Sequence, residues 1–99
     1  MTRDEIIARI RANADLIKAR GVVHLALFGS RMRGDHRPDS DLDVLVDIDP
    51  SVKKFSLIDL AGVCLVLEEM LVLDTNIEER SGLSPRFKER ISDDIVEVF

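Results

Sequence analysis

The stretch Asp41-Leu42-Asp43-Val44-Leu45-Val46-Asp47 constrains the fold of this chain more than any other. Leu42, Val44 and Val46 alternate with Asp41, Asp43, Leu45 and Asp47, and a period of two is the pattern of a strand with one apolar face. Such a strand needs neighbours to pair with and a layer to cover that face. Pro50 ends it.

The rest of the chain supplies both. Thr2 and Glu5 have the spacing of a capping box, and Ile6, Ile10, Ala14 and Ile17 recur at helical spacing until Gly21, which predicts an amphipathic first helix. Val22 to Phe28 is apolar and β-branched, interrupted only by His24 and bounded by glycines, and reads as a strand. Ser30 to Arg33 suits a short helical turn, and Gly34 to Ser40 has the composition of a loop. Ser56 and Asp59 cap a helix whose stripe is Leu57, Leu60, Ala61, Cys64 and Leu67. Met70 to Leu73 is expected as a third strand, and Glu78 to Gly82 as the loosest stretch. Ser84 and Pro85 open a last helix with Phe87, Ile91, Ile95 and Val98 on one face. The order α-β-α-β-α-β-α predicts an α+β (mixed α/β) fold, a small mixed β-sheet covered by helices, in a single domain spanning residues 1–99.

Composition narrows the function classes. At 45% hydrophobic and 33% charged, the chain matches neither a disordered nor a fibrous sequence. A net charge of -5 argues against a broad basic face for nucleic acid, which would have to neutralise many phosphates. The lone Cys64 excludes a disulfide framework or a multi-cysteine zinc site. The most apolar stretch, Leu57 to Leu73, is broken by Asp59, Glu68 and Glu69, and the N-terminus does not read as a signal peptide. The expectation is a cytoplasmic protein that binds neither membrane nor nucleic acid directly.

Three groups of residues suggest chemistry. Gly29-Ser30 closes a strand and opens a turn, where a missing side chain admits a phosphate to the backbone and the hydroxyl adds a donor; the pair also suits an ordinary turn. Asp41 and Asp43, two apart on a strand, point to one face and repel unless a cation lies between them; an isolated pair also suits a solvated edge. A calcium-loop reading starting at Asp39 fails, because Val44 falls on the required glycine and Pro50 on the closing glutamate. Arg31, Arg33 and Arg37 concentrate positive charge in the intervening loop, and guanidinium forks match phosphate oxygens, although a charged loop is usually just solvated.

Gly29-Ser30-Arg31-Met32-Arg33-Gly34, five residues, then Ser40-Asp41-Leu42-Asp43-Val44-Leu45-Val46 resembles the signature of the minimal nucleotidyltransferases, small members of the polymerase-β-like superfamily: G-S-x-x-R-G, a short loop, S-D-x-D-x-x-V. Both halves, their spacing and the order of elements match over nearly the whole chain. The resemblance implies the nucleotidyltransferase fold, ATP as substrate and two magnesium ions. It places Gly29 and Ser30 on the nucleotide's phosphates and makes Asp41 and Asp43 metal ligands; Arg31, Arg33 and Arg37, by their charge, and Ser40 are expected in the same nucleotide-binding set. A third carboxylate from a later strand is assigned by the resemblance to Asp74, although the family's V-D-L-V is here Leu73-Asp74-Thr75-Asn76; Asp47 and Asp49 are worse placed.

The reaction so implied is attack of a hydroxyl on the α-phosphorus of ATP with release of pyrophosphate. A chain this short has little left to form a wall for the acceptor, which points to a macromolecular one. The resemblance agrees, since minimal nucleotidyltransferases pair with all-helical HEPN toxins and act as antitoxins by adenylylating a tyrosine near the toxin's active site. The alternatives are a binding subunit that inhibits by contact without catalysis, and a subunit that modifies a small molecule. His24 is expected as a buried or half-buried strand residue, His36 as a loop residue, Cys64 and Met70 as core, and Phe87 and Phe99 as core or partner surface.

Overall fold

The computed structural model describes all 99 residues. Its elements are helices α1 (Arg3–Ala12) and α2 (Ala14–Lys18), strand β1 (Val22–Phe28), the short helix α3 (Ser30–Arg33), β2 (Leu42–Ile48), α4 (Leu57–Leu71), β3 (Thr75–Glu79), a 3-10 turn over Arg80–Gly82, α5 (Pro85–Ile91) and β4 (Val96–Glu97). The strands form one mixed sheet in the order β3-β2-β1-β4. β1 runs antiparallel to both β2 and β4, and β2 runs parallel to β3. The α+β class expected from the pattern is the class observed.

The sheet separates two apolar layers. On one face Leu25, Leu27, Leu42, Val44 and Val46 pack with Ile6, Ile10, Ile17, Val63, Leu67 and Leu71 from α1, α2 and α4. Each fully buried aliphatic side chain there contributes about 1.5–3 kcal/mol. On the other face the layer is small: Ala26, Phe28, Leu45 and Ile91, with Leu83, Phe87 and Ile95 at its rim. Asp41 and Asp43 alternate with the large layer's residues and so lie on the lightly covered side, where the sheet is open.

Five expectations change. The first helix breaks at Asn13, whose side-chain amide donates to the Arg9 carbonyl at 2.8 Å and ends α1 there. Met70 to Leu73 is not a strand: Leu71 continues the buried stripe Val63-Leu67-Leu71 at i+4, so α4 takes in Met70 and Leu71, and Val72 caps it in the left-handed region at φ +54°. The third strand is Thr75–Glu79, so Glu78 and Glu79 belong to the sheet rather than to a loose connection. The last helix ends at Ile91, and the chain returns to pair Val96 and Glu97 with Leu27 and Ala26. His24, expected to be at least half-buried, is exposed.

Candidate active site

The site forms where β1 ends and β2 and β3 begin. Phe28 pairs with Asp43, so the turn that follows β1 lies beside the acidic start of β2. Gly29 turns the chain there with φ +80° and ψ -160°, and its carbonyl accepts from the N–H groups of Met32 and Arg33 at 3.1 and 3.0 Å, winding α3. A Cβ on Gly29 would collide with the Asp43 carboxylate. The position requires glycine both for its backbone and for the approach. Gly34 closes α3 in the left-handed region at φ +86°, donating to the Ser30 carbonyl at 2.9 Å.

The three loop arginines have different surroundings. Arg31 is buried, its Nε donating to the Ser40 carbonyl at 2.9 Å and its Nη2 to the Pro38 carbonyl at 3.3 Å. It holds the loop to α3. Arg33 pairs with Asp35 at 3.1 Å and Asp94 at 2.8 Å, and these partners raise its pKa. Arg37 is exposed; its backbone N–H donates to the Ser40 hydroxyl at 2.8 Å, which fixes the turn before Asp41.

Asp41 is exposed and Asp43 half-buried. Burial is the main cause that raises the Asp43 pKa; the Asn76 amide opposes it, Asp41 adds to it, and Arg33 opposes it. The residue opposite Asp43 on β3 is Asn76. Its Nδ2 donates to Asp41 Oδ2 at 3.1 Å and to Asp43 Oδ1 at 3.4 Å. This amide is the site residue that sequence reasoning passed over. Laying V-D-L-V on Thr75-Asn76-Ile77-Glu78, rather than on Leu73-Asp74-Thr75-Asn76, would have put it beside the two acids. Asp74 stands just before β3, its carbonyl accepting from the Leu42 N–H at 2.8 Å. It lines a cavity of about 400 Å³ with Pro38, Asp39, Ser40, Glu68 and Leu73, and this structure does not join it to Asp41 and Asp43. Asp47 pairs with Arg80, and Asp49 accepts from the Ser51 N–H in a turn.

No group of three His, Cys, Asp or Glu side chains is placed to hold a metal ion. The Asp41–Asp43 pair nevertheless fits magnesium, which takes one or two protein carboxylates and fills its shell with water and substrate phosphates. Phosphate beside the Gly29-Ser30 turn would lie next to that ion.

A family model described as nucleotidyltransferase domain matches residues 9–98. The chain is 33% identical, over 101 aligned positions, to the protein adenylyltransferase MntA of Thermococcus cleftensis, across 99% of this chain and 97% of that protein. A solved structure of a candidate minimal nucleotidyltransferase superposes with a TM-score of 0.78 at 34% identity, covering 97% of this chain and 95% of that one. At 14% identity the fold also matches, with a TM-score of 0.66 over 93% of this chain and 70% of that one, a re-refined Shewanella oneidensis complex of a tri-AMPylated HEPN toxin with its MNT antitoxin.

Proposed function

The chain belongs to the nucleotidyltransferase domain family, and on that premise we propose that it transfers AMP from ATP to a tyrosine hydroxyl of a partner HEPN toxin and so acts as its antitoxin. The observation that carries this reading is the fit of Gly29 against Asp43, which puts a phosphate-admitting turn and a metal-ready carboxylate in contact. The full-length match to a protein adenylyltransferase supports a protein acceptor.

In this reading the turn at Gly29 and Ser30 receives the β- and γ-phosphates, with the Ser30 hydroxyl as donor, and the exposed Arg37 adds charge from the loop. Asp41 and Asp43 would hold magnesium. Bound there, it would neutralise phosphate charge and lower the pKa of the attacking hydroxyl. Arg31 and Ser40 act at one remove, by fixing the loop that presents Asp41. The open sheet face leaves room for the acceptor. On α4, Leu57, Ile58 and Leu65 are exposed, and Leu57 and Leu65 border a groove with Leu60, Ala61, Cys64 and Ile77. An apolar surface of that kind suits a macromolecular partner. AMP on a tyrosine beside a ribonuclease site would place an anion where RNA phosphate must bind.

Label transfer tests the proposal. The protein, Mg²⁺ and α-phosphate-labelled ATP are incubated with host lysate beside an Asp41→Asn, Asp43→Asn double variant. A labelled protein band that the variant does not produce, mapped to tyrosine by mass spectrometry, is the expected result. No protein label with ATP or any other nucleoside triphosphate would overturn it.

A further inference from the structure

An acid that completes the Asp41–Asp43 pair from β3 has one place to stand, and Asn76 occupies it. β2 and β3 are parallel, with Asp43 opposite Asn76 and Leu45 opposite Glu78. Thr75 is buried and Ile77 packs on the large apolar layer, so both face away from the acids. Glu78 is one pair farther from Asp41. Only position 76 presents a side chain to both carboxylates, and its Nδ2 lies 3.1 Å from Asp41 Oδ2 and 3.4 Å from Asp43 Oδ1.

We propose that Asn76 is a positioning residue that makes metal loading depend on the nucleotide. It aligns Asp41 and Asp43 in the free protein, yet leaves a divalent ion only two protein charges, so the ion is held firmly only when triphosphate oxygens complete its shell. The inference rests on the nucleotidyl-transfer reading. Two carboxylates sharing a site repel, and an amide that donates to both relieves that repulsion without a cation. Toward a cation the same amide can offer only its neutral carbonyl oxygen. Affinity for hard divalent ions rises with the number of charged ligands, so a site with two carboxylates and an amide binds more weakly than one with three carboxylates. The metal then arrives with the nucleotide rather than waiting for it.

The test titrates the full chain with Mn²⁺ and no nucleotide, reading free Mn²⁺ by electron paramagnetic resonance, for the wild type, Asn76→Asp, and the Asp41→Asn, Asp43→Asn double variant. Asn76→Asp is expected to bind at least about tenfold more tightly than the wild type, and the double variant to lose binding. A melting curve supplies the second readout. Without metal, Asn76→Asp melts below the wild type, because a third carboxylate joins the pair, and Mn²⁺ raises its Tm by more than it raises the wild type's. An Asn76→Asp protein that folds only with Mn²⁺ gives the same answer. Asn76→Asp binding no more tightly than the wild type overturns the inference, as does its melting alike with and without Mn²⁺. Loss of both Mn²⁺ binding and label transfer in the double variant, with no gain in Asn76→Asp, leaves the proposed function standing and removes this inference. Tighter binding in Asn76→Asp with no label transfer by the wild type removes the proposed function, and with it the role in nucleotide-dependent loading.

Discussion

Gly29 and Asp43 meet with no space for a methyl group between them: a Cβ at position 29 would run into the Asp43 carboxylate and stand 3.0 Å from its Cγ. The turn after β1 and the carboxylate of Asp43, proposed above to receive phosphate and metal, are therefore one packed unit. A side chain at position 29 would have to displace the Asp43 carboxylate.

Gly29→Ala adds that methyl group to a residue at φ +80°. Strain and collision together are expected to cost about 2 kcal/mol or more, read as a lower Tm. Displacing Asp43 by a fraction of an ångström to relieve the clash is expected to lower kcat/KM for nucleotide transfer by about 100-fold. A variant with wild-type transfer would separate the turn from the acid.

Asp43→Asn should act oppositely on stability and activity. The Asp43 pKa is raised in the folded state, so its ionisation favours the unfolded chain, and folded stability falls as pH rises through that raised value. Removing the charge is expected to raise the Tm of the metal-free protein at neutral pH while abolishing transfer. The Tm advantage should vanish as the pH is lowered and the wild-type carboxyl protonates. Thermal melts at neutral pH and at about pH 3, below the ordinary carboxylate range, check the sign.

The arginines should separate by readout. Arg31→Met leaves the Ser40 and Pro38 carbonyls without their charged donor, at an expected cost of about 2–3 kcal/mol in stability. Arg37 is exposed, and Arg37→Ala is expected to alter stability by less than about 0.5 kcal/mol. If Arg37 contacts phosphate, its loss raises KM for ATP about tenfold with kcat little changed. Denaturant melts and steady-state kinetics on the two variants distinguish a loop strut from a nucleotide contact.

Arg80 ties the sheet together across its open face. Its Nη1 and Nη2 donate to the Glu97 carboxylate at 3.0 and 2.8 Å, and its Nε lies 3.2 Å from Asp47 Oδ1, an ion-pair contact without hydrogen-bond alignment. Glu97 is half-exposed, so solvent screens much of the pairing, and Arg80→Ala is expected to cost about 1 kcal/mol, a Tm drop of about 4–8 °C. Arg80 chiefly lowers the Glu97 pKa. That part of the stability is present above glutamate's unfolded value and lost as pH falls through the lowered folded one. The gap between wild type and variant should close in acid.

Much of the fold is legible locally. The capping boxes at Thr2 and Ser56 and the Ser84-Pro85 start predicted helix beginnings that the structure keeps, because a cap is satisfied within four residues. β1 follows from its apolar run and bounding glycines and β2 from its period of two, both read within one short segment. The misread segments depend on distant partners. Met70 to Leu73 is apolar enough for a strand, and only the continued i+4 stripe onto the large core makes its first half, Met70 and Leu71, the end of a helix. Val96–Glu97 is two residues long and is a strand only because the β1 edge is there to receive it.

The same division runs through the candidate site. Gly29, Ser30, Asp41 and Asp43 stand out in the sequence because a turn and a period of two place them, and both are properties of short segments. Which residue of the third strand faces them is set by the parallel register of β2 and β3, which brings together positions 43 and 76. That register depends on where α4 ends and on how Thr75 and Ile77 turn inward, so only the packed sheet put an amide there in place of Asp74. By itself the sequence determined the turn and the acidic pair. Tertiary structure decided what stands across from them, because residues far apart in the chain become neighbours only through packing.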